Sequence, residues 1–364
     1  MPRLLCLVAV SVLPALLPAQ TVEKPVRIAV AGLVHGHVEG FLLQPARTRK
    51  DIEIVGMFEP DTALAAALAK KYGLPQSILY TNLETMLDRV KPDAVATFTN
   101  TFDHPMVVEA AAPRHLPVMM EKPMAVSVAH ARRIQHAALR SGIQVVVNYE
   151  TSWYPSHGAI WDLIKEKHAA GEIRRMVAMD GHQGPQEIGV GPEFLAFLRD
   201  PVRNGAGALF DFGCYGANLM TWLMGNQAPI AVMAMTRRIK PEIYPNVDDD
   251  ATILLEYPRA QGVIEASWNW PFSRKDLEVY GARGYAIATG GNSLRVRLPG
   301  SPEETRTPDA LPPDEHDQLS YFAAVVRGKR KSTGLSSLEN NLIVTSILEA
   351  ARDSARTGTR VKLR

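Results

Sequence analysis

Cysteine is nearly missing from this chain. Cys6 and Cys214 are the only two, and Cys6 lies inside an N-terminal apolar run. A scaffold stapled by disulfides is therefore excluded, because Cys214 stands alone once the leading segment is set aside. Charge of one sign is also missing: 40 basic residues face 38 acidic ones, for a net charge of +2, and the two signs are interleaved. That balance gives no electrostatic basis for nucleic acid or an anionic membrane surface as partner. Beyond the N-terminal segment no apolar run approaches the roughly 20 residues of a spanning helix, and there is no internal repeat. What is present is a chain of 364 residues, 46% hydrophobic and 21% charged. That composition is globular, and the length exceeds one ordinary core, so two domains are expected.

The first 20 residues differ from the rest. Met1-Pro2-Arg3 carries one positive charge, Leu4 to Leu17 is apolar apart from Ser11 and Pro14, and small residues around Ala19 precede Gln20-Thr21. This is the layout of a secretory signal peptide, and the run is short for a membrane span. Residues 1–20 are read as that signal, with a periplasmic or extracellular destination and no stable span after its removal.

Residues 25–147 alternate strand and helix patterns. Val26–Ala31, Ile52–Phe58, Ala94–Phe98, Leu116–Met120 and Ile143–Val147 are apolar runs of the kind that form strands buried on both faces. Between them, Asp61 is placed to cap a helix through Tyr72, helices are expected over Leu83–Val90 and Pro105–Ala112, and Gly142 ends one over Val126–Ser141. Repetition at this spacing implies right-handed crossovers and a doubly wound parallel sheet, an α/β Rossmann domain. From residue 148 to 364 the rhythm changes. Helices are expected over His157–Ala170, Gly216–Met224 and about Ser336–Ala355. Strands are expected over Met176–Met179, Ile230–Thr236, Thr252–Tyr257, Gly262–Trp268, Leu277–Tyr280, Tyr285–Ala288 and Val361–Leu363, with Pro299–Pro313 a surface loop. These segregated elements describe an α+β domain with a mostly antiparallel open sheet.

Two places carry chemistry. The first strand runs into Ala31-Gly32-Leu33-Val34-His35-Gly36-His37 before a helix pattern, the position of a dinucleotide-binding turn. Only Gly32 matches the usual three-glycine spacing; Val34 takes the second place and Gly36 is one residue off the third. The second strand ends in Phe58-Glu59, which puts a carboxylate where a ribose 2′-hydroxyl acceptor belongs and would repel a 2′-phosphate. His35 and His37 have ligand-like spacing, but no third ligand stands near them in sequence, so no metal is expected. The second place is Glu121-Lys122-Pro123, at the carboxyl end of a parallel strand, where ligands of such sheets bind. It has a distant counterpart in Gly205-Ala-Gly-Ala-Leu-Phe-Asp211-Phe-Gly-Cys-Tyr215, which leads into a helix.

Together these motifs resemble the Gfo/Idh/MocA oxidoreductases, in the branch of glucose-fructose oxidoreductase and dihydrodiol dehydrogenase. The resemblance extends through Asp93-Ala94-Val95, His104-Pro105, Asn148-Tyr149, Asp249-Asp250-Ala251-Thr252, Ala266-Ser267-Trp268 and the closing Ala350–Gly358 stretch. Glu150 departs from it, standing where many members carry a basic residue, and Asn100 replaces a frequent proline. The resemblance implies a nicotinamide dinucleotide, NAD in preference to NADP, held by Gly32, Val34, His35, Gly36, His37, Glu59, Thr99, Asn100, His104, Glu121 and Lys122. It implies a catalytic trio in which Tyr215 is the acid/base, Lys122 lowers the phenol's pKa and donates to substrate, and Asp211 orients substrate. The expected activity is hydride transfer to or from a sugar, sugar derivative or polyol, and a homo-oligomeric assembly is compatible with it. Two other functions fit the same residues: redox-neutral glycoside cleavage through transient oxidation, and non-catalytic binding of sugar or cofactor.

Overall fold

The computed structural model describes residues 23–43 and 49–363; the expected signal segment, residues 1–20, lies outside them. Six strands form the first sheet: β1 (Val26–Ala31), β2 (Ile52–Phe58), β3 (Leu79–Tyr80), β4 (Ala94–Thr97), β5 (Val118–Glu121) and β6 (Val145–Asn148). Their order is β3-β2-β1-β4-β5-β6, and every pairing is parallel. The strand order reverses between β1 and β4, and that switch point is where a crevice opens at the carboxyl ends. Buried β-branched and apolar residues on both faces explain why these strands read as continuous apolar runs: Ile28, Ala29, Val30 and Ala31 are all fully buried. The helix caps follow the sequence signals. Asp61 accepts the N–H groups of Ala63 and Leu64 ahead of the helix Thr62–Tyr72, and Gly142 closes Val128–Ser141 in the left-handed conformation.

The second sheet has nine strands in the order β14-β13-β12-β11-β7-β10-β9-β8-β15. They are β7 (Ile173–Gly181), β8 (Ala231–Arg237), β9 (Asp250–Glu256), β10 (Gln261–Ser267), β11 (Arg274–Gly281), β12 (Tyr285–Thr289), β13 (Leu294–Arg297), β14 (Glu304–Arg306) and β15 (Val361–Lys362). Only β7 and β10 run parallel; the remaining pairs are antiparallel. The helices Gly213–Leu223 and Leu338–Thr357 pack against one face. The other face leaves Met233, Met235 and Leu254 exposed. Among the described residues no helix is long and apolar enough to cross a membrane.

Several elements differ from the sequence reading. Strand β14 lies within the stretch read as a surface loop; its residues are all exposed, so it has no apolar alternation to detect. The helix expected over His157–Ala170 is instead an α-helix over Pro155–Trp161 followed by a wider π turn over Asp162–Glu166. It stops because His168 and Gly171 take left-handed backbone angles that turn the chain. The helices Pro192–Leu198 and Gln318–Val326 were not anticipated. The second of them packs Leu319 and Phe322 with Ile28, Val30 and Phe98 of the first lobe, although its sequence falls in the second.

The long helix Leu338–Thr357 locks the two lobes together. Its Glu349 accepts the Val128 N–H (3.1 Å), while Arg352 donates to the Val126 carbonyl (3.1 Å) and the Gly205 carbonyl (3.0 Å). Asn341 on the same helix accepts the Tyr149 hydroxyl (3.0 Å). This brace fixes the distance between the end of β5 and the segment containing Asp211.

Candidate active site

Lys122 leaves the end of β5 and meets Asp211, the last residue of a short helix over Ala208–Asp211 in the other lobe. The ammonium lies 2.5 Å from Asp211 Oδ1 and 2.9 Å from the Asp211 carbonyl oxygen. Both side chains are almost entirely buried, at 5% and 9% exposure. Trp268, just past β10, donates its indole N–H to Asp211 Oδ2 (3.0 Å). Asp211 therefore has a donor on each oxygen. Burial alone would raise its pKa, but the adjacent Lys122 charge and hydrogen bonds hold it below the usual value. Burial likewise works against the Lys122 charge, and Asp211 outweighs it, so the ammonium persists to higher pH than normal.

Tyr215 sits beside this pair, on the helix Gly213–Leu223 that begins after a break at Phe212. The Lys122 ammonium is 5.0 Å from the ring centroid and Lys275 of β11 is 4.9 Å from it. Tyr149 and Phe212 wall the ring at 5.6 and 5.8 Å. The direction differs from the expectation: Lys122 faces the ring but is bound to Asp211, and other influences prevail on the phenol. Burial, followed by the negative charge of Glu150, pushes the Tyr215 pKa well above its ordinary value. The free chain holds a protonated donor at this position.

The charge reversal at Glu150 is also resolved. Glu150 forms an ion pair with Lys275 and accepts the Tyr154 hydroxyl (2.5 Å). The cation missing from this loop is thus supplied by β11. Opposite Lys275 in strand register is Asp180 of β7. Both of its carboxylate oxygens are buried without a hydrogen-bond partner, and burial pushes its pKa well up, with Lys275 opposing. Lys275, Asp180 and the Trp268 contact were missed in the sequence. Only the Ala-Ser-Trp tripeptide gave any signal of them.

The dinucleotide loop is built differently from its motif. Gly32 has φ +82°, and a Cβ there would lie 2.4 Å from Thr99 Cγ2 and 2.7 Å from the Thr99 nitrogen. The ends of β1 and β4 therefore approach as closely as a ligand cradle requires. Glu59 is buried and accepts the Leu33 N–H (2.8 Å) and the Asp61 N–H (3.1 Å). A carboxylate has about four acceptor directions, so it keeps capacity for a ribose hydroxyl while bracing the loop. Burial raises its pKa. The helix Pro192–Leu198 of the second lobe lies over the loop. Phe194 lies tilted against His35 at 4.5 Å and fills the space a Cβ on Gly36 would need, and Phe197 lies 5.7 Å from His35. Val34 lines a cavity of about 330 Å³ with Glu193, Phe197 and Arg203. Burial keeps the His35 pKa well below normal.

The remaining predicted cofactor residues divide. His37 Nδ1 is 2.9 Å from Glu121 Oε2, and Glu121 Oε1 accepts from Asn148 (2.8 Å). The structure thus brings a third ligand-type side chain to the histidine pair, which spacing in sequence did not show. Thr99 is within 3.2 Å of Thr97 through their hydroxyls. Asn100 caps the following turn, exchanging hydrogen bonds with Asp103, so its side chain shapes the loop. His104 lies under the turn after Lys122, 3.1 Å from the Met124 carbonyl, and burial lowers its pKa to about 4.

The residues present fit a dinucleotide at the β1–β4 switch point, with a glycine cradle and a buried carboxylate at their usual places. Comparison with known proteins agrees. Residues 26–149 match the model described as "Oxidoreductase family, NAD-binding Rossmann fold", and residues 157–287 match the GFO/IDH/MocA C-terminal domain. D-apiose dehydrogenase of Paraburkholderia graminis is 25% identical over 333 residues, covering 86% of this chain and 83% of its own. Trans-1,2-dihydrobenzene-1,2-diol dehydrogenase of Oryctolagus cuniculus is 25% identical over 81% of this chain and 83% of its own. Among solved structures, aldose-aldose oxidoreductase from Caulobacter crescentus, complexed with glycerol, superposes with a TM-score of 0.79 at 21% identity, covering 93% of this chain and 100% of its own. An inositol dehydrogenase homolog from Azotobacter vinelandii, complexed with NAD+, also gives 0.79, at 20% identity over 93% and 98%. The chain belongs to the Gfo/Idh/MocA oxidoreductase family and carries its NAD-binding Rossmann domain.

Proposed function

We propose that this protein, exported from the cytoplasm, interconverts a secondary alcohol and a ketone on a sugar, sugar derivative or polyol. The observation that carries the reading is the Lys122–Asp211 junction with Tyr215 beside it, three polar groups from two lobes converging at a sheet edge. NAD, when bound, accepts or supplies the hydride. Gly32, Glu59, the loop Val34–His37 and Glu121 would hold it.

This chain's own residues manage the proton. In the reducing direction Tyr215, protonated as its environment dictates, gives its hydroxyl proton to the oxygen that gains negative charge. Lys122 donates a hydrogen bond to the same oxygen from its one remaining N–H, since two of its three donors are held by Asp211. In the oxidising direction Tyr215 must first lose its proton, and its raised pKa makes that step favour alkaline conditions. Asp211 acts by fixing the lysine in place, and Trp268 fixes Asp211. The buried, unpartnered carboxyl of Asp180 supplies a hydroxyl-binding group on the sheet side, suited to a substrate with adjacent hydroxyls.

Two measurements test the reading. Denatured protein from the native compartment should release NAD on mass spectrometry, and a panel of sugars and polyols should include one whose oxidation raises nicotinamide absorbance. Turnover that releases an aglycone with no change in cofactor redox state would replace it with the redox-neutral function.

A further inference from the structure

We propose that His35, His37 and Glu121 bind one divalent transition-metal ion of the zinc class, at the mouth of the crevice. The three side chains place their ligand atoms within 4.8 Å of one another. His35 comes from the loop after β1, His37 opens the helix His37–Leu43 that follows it, and Glu121 ends β5, so the fold itself assembles the set. His37 Nδ1 already lies 2.9 Å from Glu121 Oε2, and the two imidazole rings meet edge to face with centroids 4.6 Å apart.

Two of the three ligands are held in place from behind. Glu121 Oε1 is fixed by Asn148, whose own oxygen accepts the Trp153 indole N–H (3.0 Å), so Oε2 is presented toward the histidines. His35 is clamped by Phe194 and Phe197 and is 2% exposed. Its Nδ1 takes only a long contact of 3.3 Å from the His37 N–H. Outer partners of this kind orient metal ligands and commonly alter affinity by about 10- to 100-fold. The Lys122 ammonium gives its hydrogen bonds to Asp211, so Glu121 Oε2 is left to the histidines, although the lysine's charge is felt at both Glu121 and His35.

The donor set decides the class of ion. Two imidazoles with one carboxylate suit zinc and its neighbours in the first transition row, whereas magnesium and calcium prefer all-oxygen sites. Three protein ligands leave a fourth position open for water or a ligand oxygen. The cluster shares the loop expected to seat the dinucleotide, so the test uses dinucleotide-free protein and stands apart from the hydride-transfer reading.

Calorimetric titration of the chelator-stripped full chain with zinc should show one site per chain. His37→Ala and Glu121→Gln should each weaken it by on the order of 100-fold, while His168→Ala, at an exposed histidine elsewhere, should leave it unchanged. His37 is largely at the surface, at 45% exposure, so its removal does not empty a core. Cobalt added to the wild-type chain should give the intense visible absorption of a four-coordinate nitrogen–oxygen site, lost in His37→Ala. No zinc uptake, uptake indifferent to His37, or a weak six-coordinate cobalt spectrum in the wild type would each overturn the proposal.

Discussion

Two lysine–carboxylate pairs adjoin Tyr215, and they are built to opposite specifications. Lys122–Asp211 is sealed, with 5% and 9% exposure, a backbone carbonyl as second acceptor and an indole N–H on the far oxygen. Lys275–Glu150 is open, with 19% and 51% exposure and one further partner, the Tyr154 hydroxyl. Both ammonium groups stand about equally far from the Tyr215 ring, at 5.0 and 4.9 Å. Distance is therefore not what separates them. The sealed pair is fixed in charge and position because removing either member strands a buried ion. The open pair is screened by solvent and adjusts. We read the first as the positioning device for chemistry and the second as a tuner of the phenol.

The largest expected effect comes from breaking the sealed pair. Lys122→Met should leave Asp211 buried without its cation, a loss of about 3–5 kcal/mol, seen as a lower Tm. It should also cut kcat by roughly 10³-fold or more through loss of the oxygen-stabilising donor. Lys122→Met with Asp211→Asn should recover much of the Tm and none of the rate. A double variant that stays as unstable as the single one would show that the pair is not the source of the loss.

Tyr215→Phe comes next. The ring keeps its packing against Tyr149 and Phe212, so stability should hardly move, while kcat should fall roughly 10²- to 10⁴-fold with KM little changed. A variant retaining most of its kcat would remove Tyr215 from proton transfer. Lys275→Met should do less, lowering kcat/KM by about tenfold at most. Its difference from wild type should shrink as salt is raised. A salt-independent defect as large as that of Lys122→Met would erase the contrast between the pairs.

The smallest effect is a shift of profile. After burial, the Glu150 charge is the largest influence raising the Tyr215 pKa. Glu150→Gln removes it and frees the Lys275 cation, so the phenol should ionise at lower pH. The alkaline-rising limb of kcat/KM for alcohol oxidation should move toward lower pH, with the limit at high pH little altered. A limb that stays in place or moves upward would show that Glu150 does not govern this proton.

Much of the first lobe was legible because its information is local. The apolar runs of β1, β2 and β4, the Asp61 cap and the Gly142 stop each depend on a few neighbouring residues. Lys122 was placed for the same reason, as the residue after a parallel strand. The second lobe was harder to read. Its edge strand β14 is exposed throughout and has no alternation, and Gln318–Val326 packs against strands nearly 300 residues earlier in the chain. In the site, Lys275 and Asp180 were illegible since they matter only by their pairing across β11 and β7, 95 positions apart in the chain.

Local pattern along the chain sets the succession of elements, the cofactor class favoured by Glu59, and a lysine and a tyrosine in motifs whose resemblance implies a shared crevice. What those groups become in place is settled by packing. Whether Lys122 faces a phenol or a carboxylate, and whether His35 and His37 have a third ligand, depends on which strands and helices are brought within a few ångströms. Charge interactions fall off with distance and strengthen with burial. Both quantities are set by packing between lobes rather than by spacing along the chain.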